Sequence, residues 1–433
     1  MLRRDFLVGA ASLHSTSTYS KENIRPRSNG VEVIGSSLLR NGSSLKAIGC
    51  NFYSALHCRR YKIELKNLAA LGVPFIRTNF GELWAGNTAT TGWRQYLSDK
   101  QGWIGKRADF LAAAEDAGIG VVATMFWRLK SIPDLMAYKF GKRDTLDRWG
   151  KNNSNTRHFM REITAELADR FDRSPAIWGW EIGNEYKDVI DRPLLSERGE
   201  AGRNGGPQHY ASTFDSSTSN GSSDMVTYKD LFDAFSDWND VLQREALPTR
   251  LRSSGMALPS VNTYNAATGR SDGGRDFNKW MSIPPLYKPA PVFENSRPFN
   301  VISSHIYQHA NIDGRWFESP HSKQKLGPVG LIELLAQIAR RDGRPLFLGE
   351  FGSLKGEVGQ NGAYGTDGST AGERRYFTHM LNALVHSQVT LSAVWNYGYF
   401  PNGISDIWNI DIGSIRDYQL LSLSDANSRL NSL

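Results

Sequence analysis

The 433-residue chain contains two cysteines, Cys50 and Cys58. That scarcity excludes a disulfide framework and a cysteine-rich zinc centre. It leaves a single Cys50–Cys58 bridge or two buried thiols as alternatives. No stretch is apolar for long enough to span a bilayer, so no stable membrane association is expected. The nine histidines are scattered, with no His-x-His pair or His/Asp cluster of the kind a barrel metallohydrolase uses. The net charge of +7 comes without a basic run, and five basic and two acidic residues fall within the first 27 positions. A nucleic-acid partner is therefore not expected. A Gly-rich phosphate loop is also missing after the first strand, where Gly49-Cys50-Asn51-Phe52 stands. This argues against an open, doubly wound dinucleotide-binding sheet.

Aromatic residues are abundant: 12 Trp, 16 Tyr and 20 Phe. Barrel packing uses some of them, and a sugar-binding cleft can use others, because aromatic faces stack on the apolar faces of pyranose rings. At the N-terminus, Met1-Leu2-Arg3-Arg4-Asp5-Phe6-Leu7 resembles the core of a twin-arginine export signal, with Phe6–Leu13 as the start of its apolar segment. The competing reading is a disordered basic tail, because polar sequence follows without a clear small-x-small cleavage site. The expected location is periplasmic or secreted, or cytoplasmic if this segment is only a tail. Residues 1–28 are set apart on either reading, and 29–433 are expected to form a single catalytic domain.

Strand-like and helix-like runs alternate along that remainder. Val31–Leu39 and Ser44–Ile48 flank Arg40-Asn41-Gly42-Ser43, and Asn-Gly is a strong hairpin signal. Eight strand-like segments follow: Ala47–Tyr53, Val73–Asn79, Ile119–Phe126, Ala176–Ile182, a weak Arg250–Met256, Phe299–Ile306, Pro345–Phe351 and one beginning at Ser392–Trp395. Between them lie helical stripes such as Phe159, Ile163, Leu167 and Phe171, or Leu231, Phe235, Trp238 and Leu242. Strands apolar throughout imply a parallel sheet covered on both faces. Eight strand–helix repeats predict an α/β fold, a (β/α)8 TIM barrel with a short N-terminal β-hairpin. Long polar stretches, Lys187–Asp224 and Pro259–Arg297, would follow strands four and five at the end of a barrel that carries the active site. They read as cleft-shaping loops, except for the low-complexity Ser212–Ser223, which reads as a surface insertion.

Two acidic residues stand at the ends of buried strands, where they are rare. Trp180-Glu181-Ile182-Gly183-Asn184-Glu185 ends strand four, and Leu348-Gly349-Glu350-Phe351-Gly352 ends strand seven. A carboxyl pair can protonate a leaving glycosidic oxygen and stabilise or attack the oxocarbenium carbon. These motifs resemble the clan of retaining glycosidases on large barrels, and most of all family 5, the cellulase/mannanase group. The resemblance spans about residues 45 to 400. It implies that Glu185 is the general acid/base and Glu350 the nucleophile. It also implies that Arg77 on strand two bonds the nucleophile. On strand six, Tyr307 is expected to contact the nucleophile and His305 to lie near the acid/base, while Trp395 on strand eight floors the sugar subsite.

One departure from the family pattern is plain. Strand three ends Met125-Phe126-Trp127-Arg128, without the His usual there, and Trp127 is expected to line the subsite instead. Asn184 is expected to bond a sugar 2-OH. Asn51 and Trp84 are further substrate-binding candidates, and Tyr186 and Trp316 are aromatics of either subsite or core. Glu181, the rival to Glu185, is expected to lie deeper and pair with a core cation. Arg77 is expected to hold the pKa of Glu350 down, and an apolar setting near Trp180 to raise that of Glu185. The expected substrate is a β-linked glycan of β-mannan or β-glucan type, cut without a cofactor or metal by a monomer. The competing functions are a metal-dependent hydrolase and a non-catalytic carbohydrate-binding barrel.

Overall fold

In the computed structural model the described residues are 30–82, 90–186, 226, 228–256, 296–307, 317–318, 325–326, 328–353, 370–398 and 409–432. The barrel strands are β1 (Ala47–Asn51), β2 (Phe75–Asn79), β3 (Gly120–Phe126), β4 (Ile177–Gly183), β5 (Leu251–Ser253), β6 (Ile302–Tyr307), β7 (Leu346–Gly352) and β8 (Leu391–Val394). They pair in parallel in the order β5-β4-β3-β2-β1-β8-β7-β6, giving an eight-stranded sheet closed but for one seam. The helices outside it include α1 (Tyr61–Ala70), α2 (Thr90–Ser98), α3 (Lys100–Ala117), α4 (Ser131–Phe140), α5 (Asn155–Phe171), α6 (Tyr228–Glu245), α7 (Pro328–Asp342), α8 (Thr370–His386) and α9 (Tyr418–Ser432). This is the (β/α)8 architecture expected from the alternation.

The strands are buried because each has two covered faces. Outward residues such as Val121, Ala123, Trp180 and Ile182 pack with the helix stripes in one large core. Inward residues form a second, smaller apolar layer at the N-terminal end of the barrel: Ala47, Phe75, Val122, Trp178, Leu251, Val301, Phe347 and Leu391. Phe75 stacks on Trp178 with centroids 5.4 Å apart, and fully burying each such ring contributes about 1.5–3 kcal/mol. One level higher the inward positions change character, to Arg77, Thr124, Glu181 and Ser253, all buried. The chemistry therefore sits on a dry, packed floor at the C-terminal end.

The N-terminal ribbon plugs the bottom. It has three strands rather than the expected two: Glu32–Ile34, Ser37–Arg40 and Ser43–Ser44. The run read as Val31–Leu39 folds back at Gly35, where Ile34 pairs with Ser37. The predicted Asn41-Gly42 turn is present with φ of 54° and 79°, the left-handed geometry of a two-residue hairpin. Val31, Val33 and Leu38 join the inner apolar layer.

At the seam between β5 and β6, a side chain takes the place of a backbone ladder. The Asn300 amide accepts from Arg252 N–H and donates to the Arg250 carbonyl, both at 2.8 Å. Asn300→Ala should cost about 1–3 kcal/mol, since two polar backbone groups lose their partner. Urea denaturation measures this, and an unchanged midpoint would show that the seam does not depend on the amide.

The thiols of Cys50 and Cys58 are both free and buried, which decides against a bridge. Residues 1–29, with the export motif, lie outside the described residues, as do 187–225 and 257–295, which hold nearly all of the two polar stretches.

Candidate active site

Arg77 organises the centre. It is fully buried, so its guanidinium N–H groups need acceptors. Nε donates to Glu181 Oε1 at 2.7 Å. Nη1 donates to Asn51 Oδ1 at 3.0 Å and to Glu350 Oε1 at 2.8 Å. Nη2 donates to Asn184 Oδ1 at 2.7 Å. Burial works against the charge, but Glu181 and Glu350 outweigh it and raise the Arg77 pKa. One cation thus ties β1, β2, β4 and β7 together just below the barrel mouth.

Glu350 takes Arg77 on Oε1, and its Oε2 accepts from the Tyr307 hydroxyl. His305 Nδ1 lies 3.6 Å from Oε2. Burial raises the Glu350 pKa, and the opposing pull of His305 and Arg77 does not cancel it. The expectation that Arg77 holds this carboxyl below its ordinary value is therefore corrected: the cation pulls as expected, but desolvation is larger. Beside Glu350, burial also pushes the Tyr307 phenol well up, so it stays a donor.

Glu185 sits at the mouth, its side chain 20% exposed, with Oε1 at 3.0 Å from His305 Nδ1. In the Nδ1–H tautomer the ring donates to it. The strand ends at Gly183, and Glu185 adopts φ 53°. This is an unusual conformation for a non-glycine residue, of the kind held in place at functional sites. Its N–H is held by the Gly255 carbonyl at 3.0 Å. Trp180 is not its apolar neighbour. That side chain points outward, donating from Nε1 to Asp172 at 2.8 Å.

Glu181 is fully buried beneath this pair, in the deep, cation-paired position expected of it. Asn51 is corrected from sugar contact to support. It is fully buried, donates to the Gly349 carbonyl at 2.9 Å and to Ala393 and Val394 carbonyls, and accepts from Arg77. Tyr186 is core, its hydroxyl donating to the Phe126 carbonyl and its ring 5.9 Å from Trp149. Trp84 and Trp316 lie outside the described residues.

Trp127 stands over the Arg77 guanidinium at 4.8 Å. It runs nearly parallel to the half-buried Trp395, with centroids 6.0 Å apart and planes 27° apart. Tyr53, just after β1, completes this wall at 4.4 Å from Trp127. Sequence reasoning missed Tyr53, though its place closing the expected first strand, Ala47–Tyr53, was a usable signal. It also missed Thr124 and Ser253, polar residues at inward positions of otherwise apolar strands.

Glu185, His305 and Glu350 each bring one donor atom within 4.8 Å of the others, a spacing that a metal ion can bridge. The chemistry fits an ion poorly, because Arg77 and Tyr307 already hold both oxygens of Glu350 and the fixed cation at 2.8 Å opposes a second. A carboxyl pair held by fixed donors suits proton transfer and nucleophilic attack at one carbon.

No protein-family model and no curated protein matches the chain in sequence. Solved structures do match in fold. An endo-1,4-β-mannanase from Rhizomucor miehei aligns with TM-score 0.58 at 14% identity, covering 93% of this chain and 100% of that one. A glycoside hydrolase family 5 mannosidase from the same organism gives 0.56 at 13%, covering 93% and 98%. The β-glucanase SdGluc5_26A from Saccharophagus degradans gives 0.51 at 16%, covering 92% and 94%. The chain has the (β/α)8 fold of these mannanase, mannosidase and β-glucanase structures, over nearly its whole length.

Proposed function

We propose that this chain is a retaining β-glycoside hydrolase acting on a β-mannan or β-glucan type of polysaccharide or oligosaccharide. The observation that carries the reading is the carboxyl pair. Oxygens of Glu185 and Glu350, 165 positions apart in sequence, come within 4.8 Å across the barrel mouth. Inverting enzymes keep their carboxyls about 6.5–9.5 Å apart to admit a water, and retaining enzymes about 5–5.5 Å. The shorter spacing favours double displacement.

The surroundings divide the labour. Glu350, held on both oxygens, attacks the anomeric carbon and forms a glycosyl–enzyme ester. Glu185, at the wetter edge, gives its proton to the leaving oxygen and then activates water. His305, between the two, keeps Glu185 turned toward the bond being cut. Arg77 fixes the Asn184 oxygen, which leaves the Asn184 amide nitrogen to donate to the sugar 2-OH, a bond that tightens as the oxocarbenium develops. Trp395 and Trp127 offer apolar faces for the ring at the point of cleavage. The fold likeness to mannan- and glucan-cleaving barrels supports this substrate class.

Glu185→Ala separates the steps. Natural β-glycans should be cleaved about 10²- to 10⁴-fold more slowly, the usual weight of general acid catalysis. An aryl β-glycoside with a good leaving group should lose far less in glycosylation. NMR of the first-formed product from wild type should show the starting anomeric configuration, and an inverted product would refute double displacement. Equal losses on both substrates would remove Glu185 from its role.

A further inference from the structure

A third carboxylate, Glu181, is fully buried and has no part in the reaction described above, yet it touches both arms of the site. Glu181 Oε1 accepts from Arg77 Nε and from the Thr124 hydroxyl, both at 2.7 Å. Its Oε2 accepts from the Ser253 hydroxyl at 3.1 Å. Ser253 Oγ in turn accepts from Gly255 N–H at 3.1 Å. The Gly255 carbonyl accepts from the backbone N–H of Glu185 at 3.0 Å. The other arm runs from Arg77 to Glu350 at 2.8 Å. His305 closes the circuit above, 3.0 Å from Glu185 and 3.6 Å from Glu350.

We propose that Glu181 is the positioning residue that keeps the two reacting carboxylates in register, Glu350 through Arg77 and Glu185 through Ser253 and Gly255. The inference rests on the glycosidase reading and adds a residue to it. Three features carry it. Glu181 and Arg77 are both fully buried, so each needs the other's charge. Glu185 holds its φ of 53° with its backbone N–H on the carbonyl of Gly255 at 3.0 Å. Gly255 itself has φ 65°, and a Cβ there would collide with the Gly183 carbonyl and lie 2.8 Å from the Glu181 carboxyl carbon. The chain passes this close to Glu181 because position 255 has no side chain.

The charge of Glu181 also acts on Glu350. Arg77 on β2 faces both carboxylates, while Glu185 on the β4 side and His305 and Tyr307 on β6 face Glu350 from the remaining directions. Both carboxylates contact one guanidinium, so the negative charge of Glu181 lies near Glu350 and repels its anionic form. Removing that charge favours the Glu350 carboxylate and moves its titration to lower pH.

The test compares the full-length wild type with Glu181→Gln and Ser253→Ala on an aryl β-glycoside and on a β-glycan. For Glu181→Gln, kcat is expected to fall about 100-fold, the cost of misplacing reacting groups by about 1 Å. KM should change little, and the acid limb of kcat/KM should move to lower pH. Infrared titration of the Glu350 carboxyl should shift the same way, a readout that needs no turnover. Ser253→Ala cuts only the arm toward Glu185. It should slow the β-glycan more than the aryl glycoside, and it serves as the test if Glu181→Gln does not fold. Wild-type kcat with an unmoved acid limb in Glu181→Gln, or equal slowing of both substrates in Ser253→Ala, overturns the proposal. A wild type inactive on every β-glycoside overturns the glycosidase reading instead, and the infrared shift then still decides whether Glu181 and Glu350 are linked.

Discussion

Glu350→Gln should leave a folded protein with almost no turnover. The amide keeps the shape of the side chain and can still accept from Arg77, but it cannot form the glycosyl ester that the proposed mechanism requires. Loss of a covalent nucleophile costs about 10⁴- to 10⁶-fold in kcat. Arg77 keeps Glu181 as its counter-ion at 2.7 Å, so the buried cation is not stranded and the melting temperature should stay near that of wild type. Steady-state rates on an aryl β-glycoside, alongside circular dichroism, decide the matter. Wild-type rates in this variant would remove Glu350 from the mechanism.

Arg77→Met should act in the opposite sense, through stability first. The substitution leaves Glu181 and Glu350 buried without their shared cation. Stranding a buried charge in this way costs about 3–5 kcal/mol, a large part of the stability of an ordinary domain. The deficit should depend on pH. A carboxyl whose folded pKa lies above its unfolded value binds protons more readily when folded, so protonation favours the folded state. Burial already raises Glu350 above its ordinary 4.5 with Arg77 present, and without the cation it rises further. The deficit should therefore be full well above the folded pKa and shrink as the pH falls through it. Denaturant titrations at several pH values check this, and a pH-independent deficit would mean that lost packing, not charge, is the cause.

Two of the corrections at the site, at Asn51 and Glu350, have one origin. Position at a strand end locates a residue on the barrel but not its depth or its neighbours. Asn51 bonds the carbonyls of Gly349, Ala393 and Val394, which lie 298, 342 and 343 positions away in sequence. The pKa of Glu350 is set by how completely the barrel excludes water around it, and no local pattern records that. Trp180 faces away from Glu185 for a simpler reason. The register of β3 against β4 shifts between Val121 and Val122. Trp178 thus enters the inner layer, while Trp180 packs among the helices. A one-residue irregularity reverses which face a side chain takes.

Local sequence chemistry was enough to specify the eight buried strands, the intervening helices, the Asn41-Gly42 turn and the candidate pair Glu185 and Glu350. Each of these is encoded within a few neighbouring residues, as apolar runs, helical spacing, turn preferences or an acidic residue closing an apolar strand. What depended on the folded chain was the sharing of Arg77 between two anions and the free state of the two thiols. The hold of Gly255 on Glu185 and the meeting of Trp127 with Trp395 depended on it too. These arise only when barrel closure brings distant strands to one level and removes water from between them, for then distances of about 3 Å fix which groups are partners.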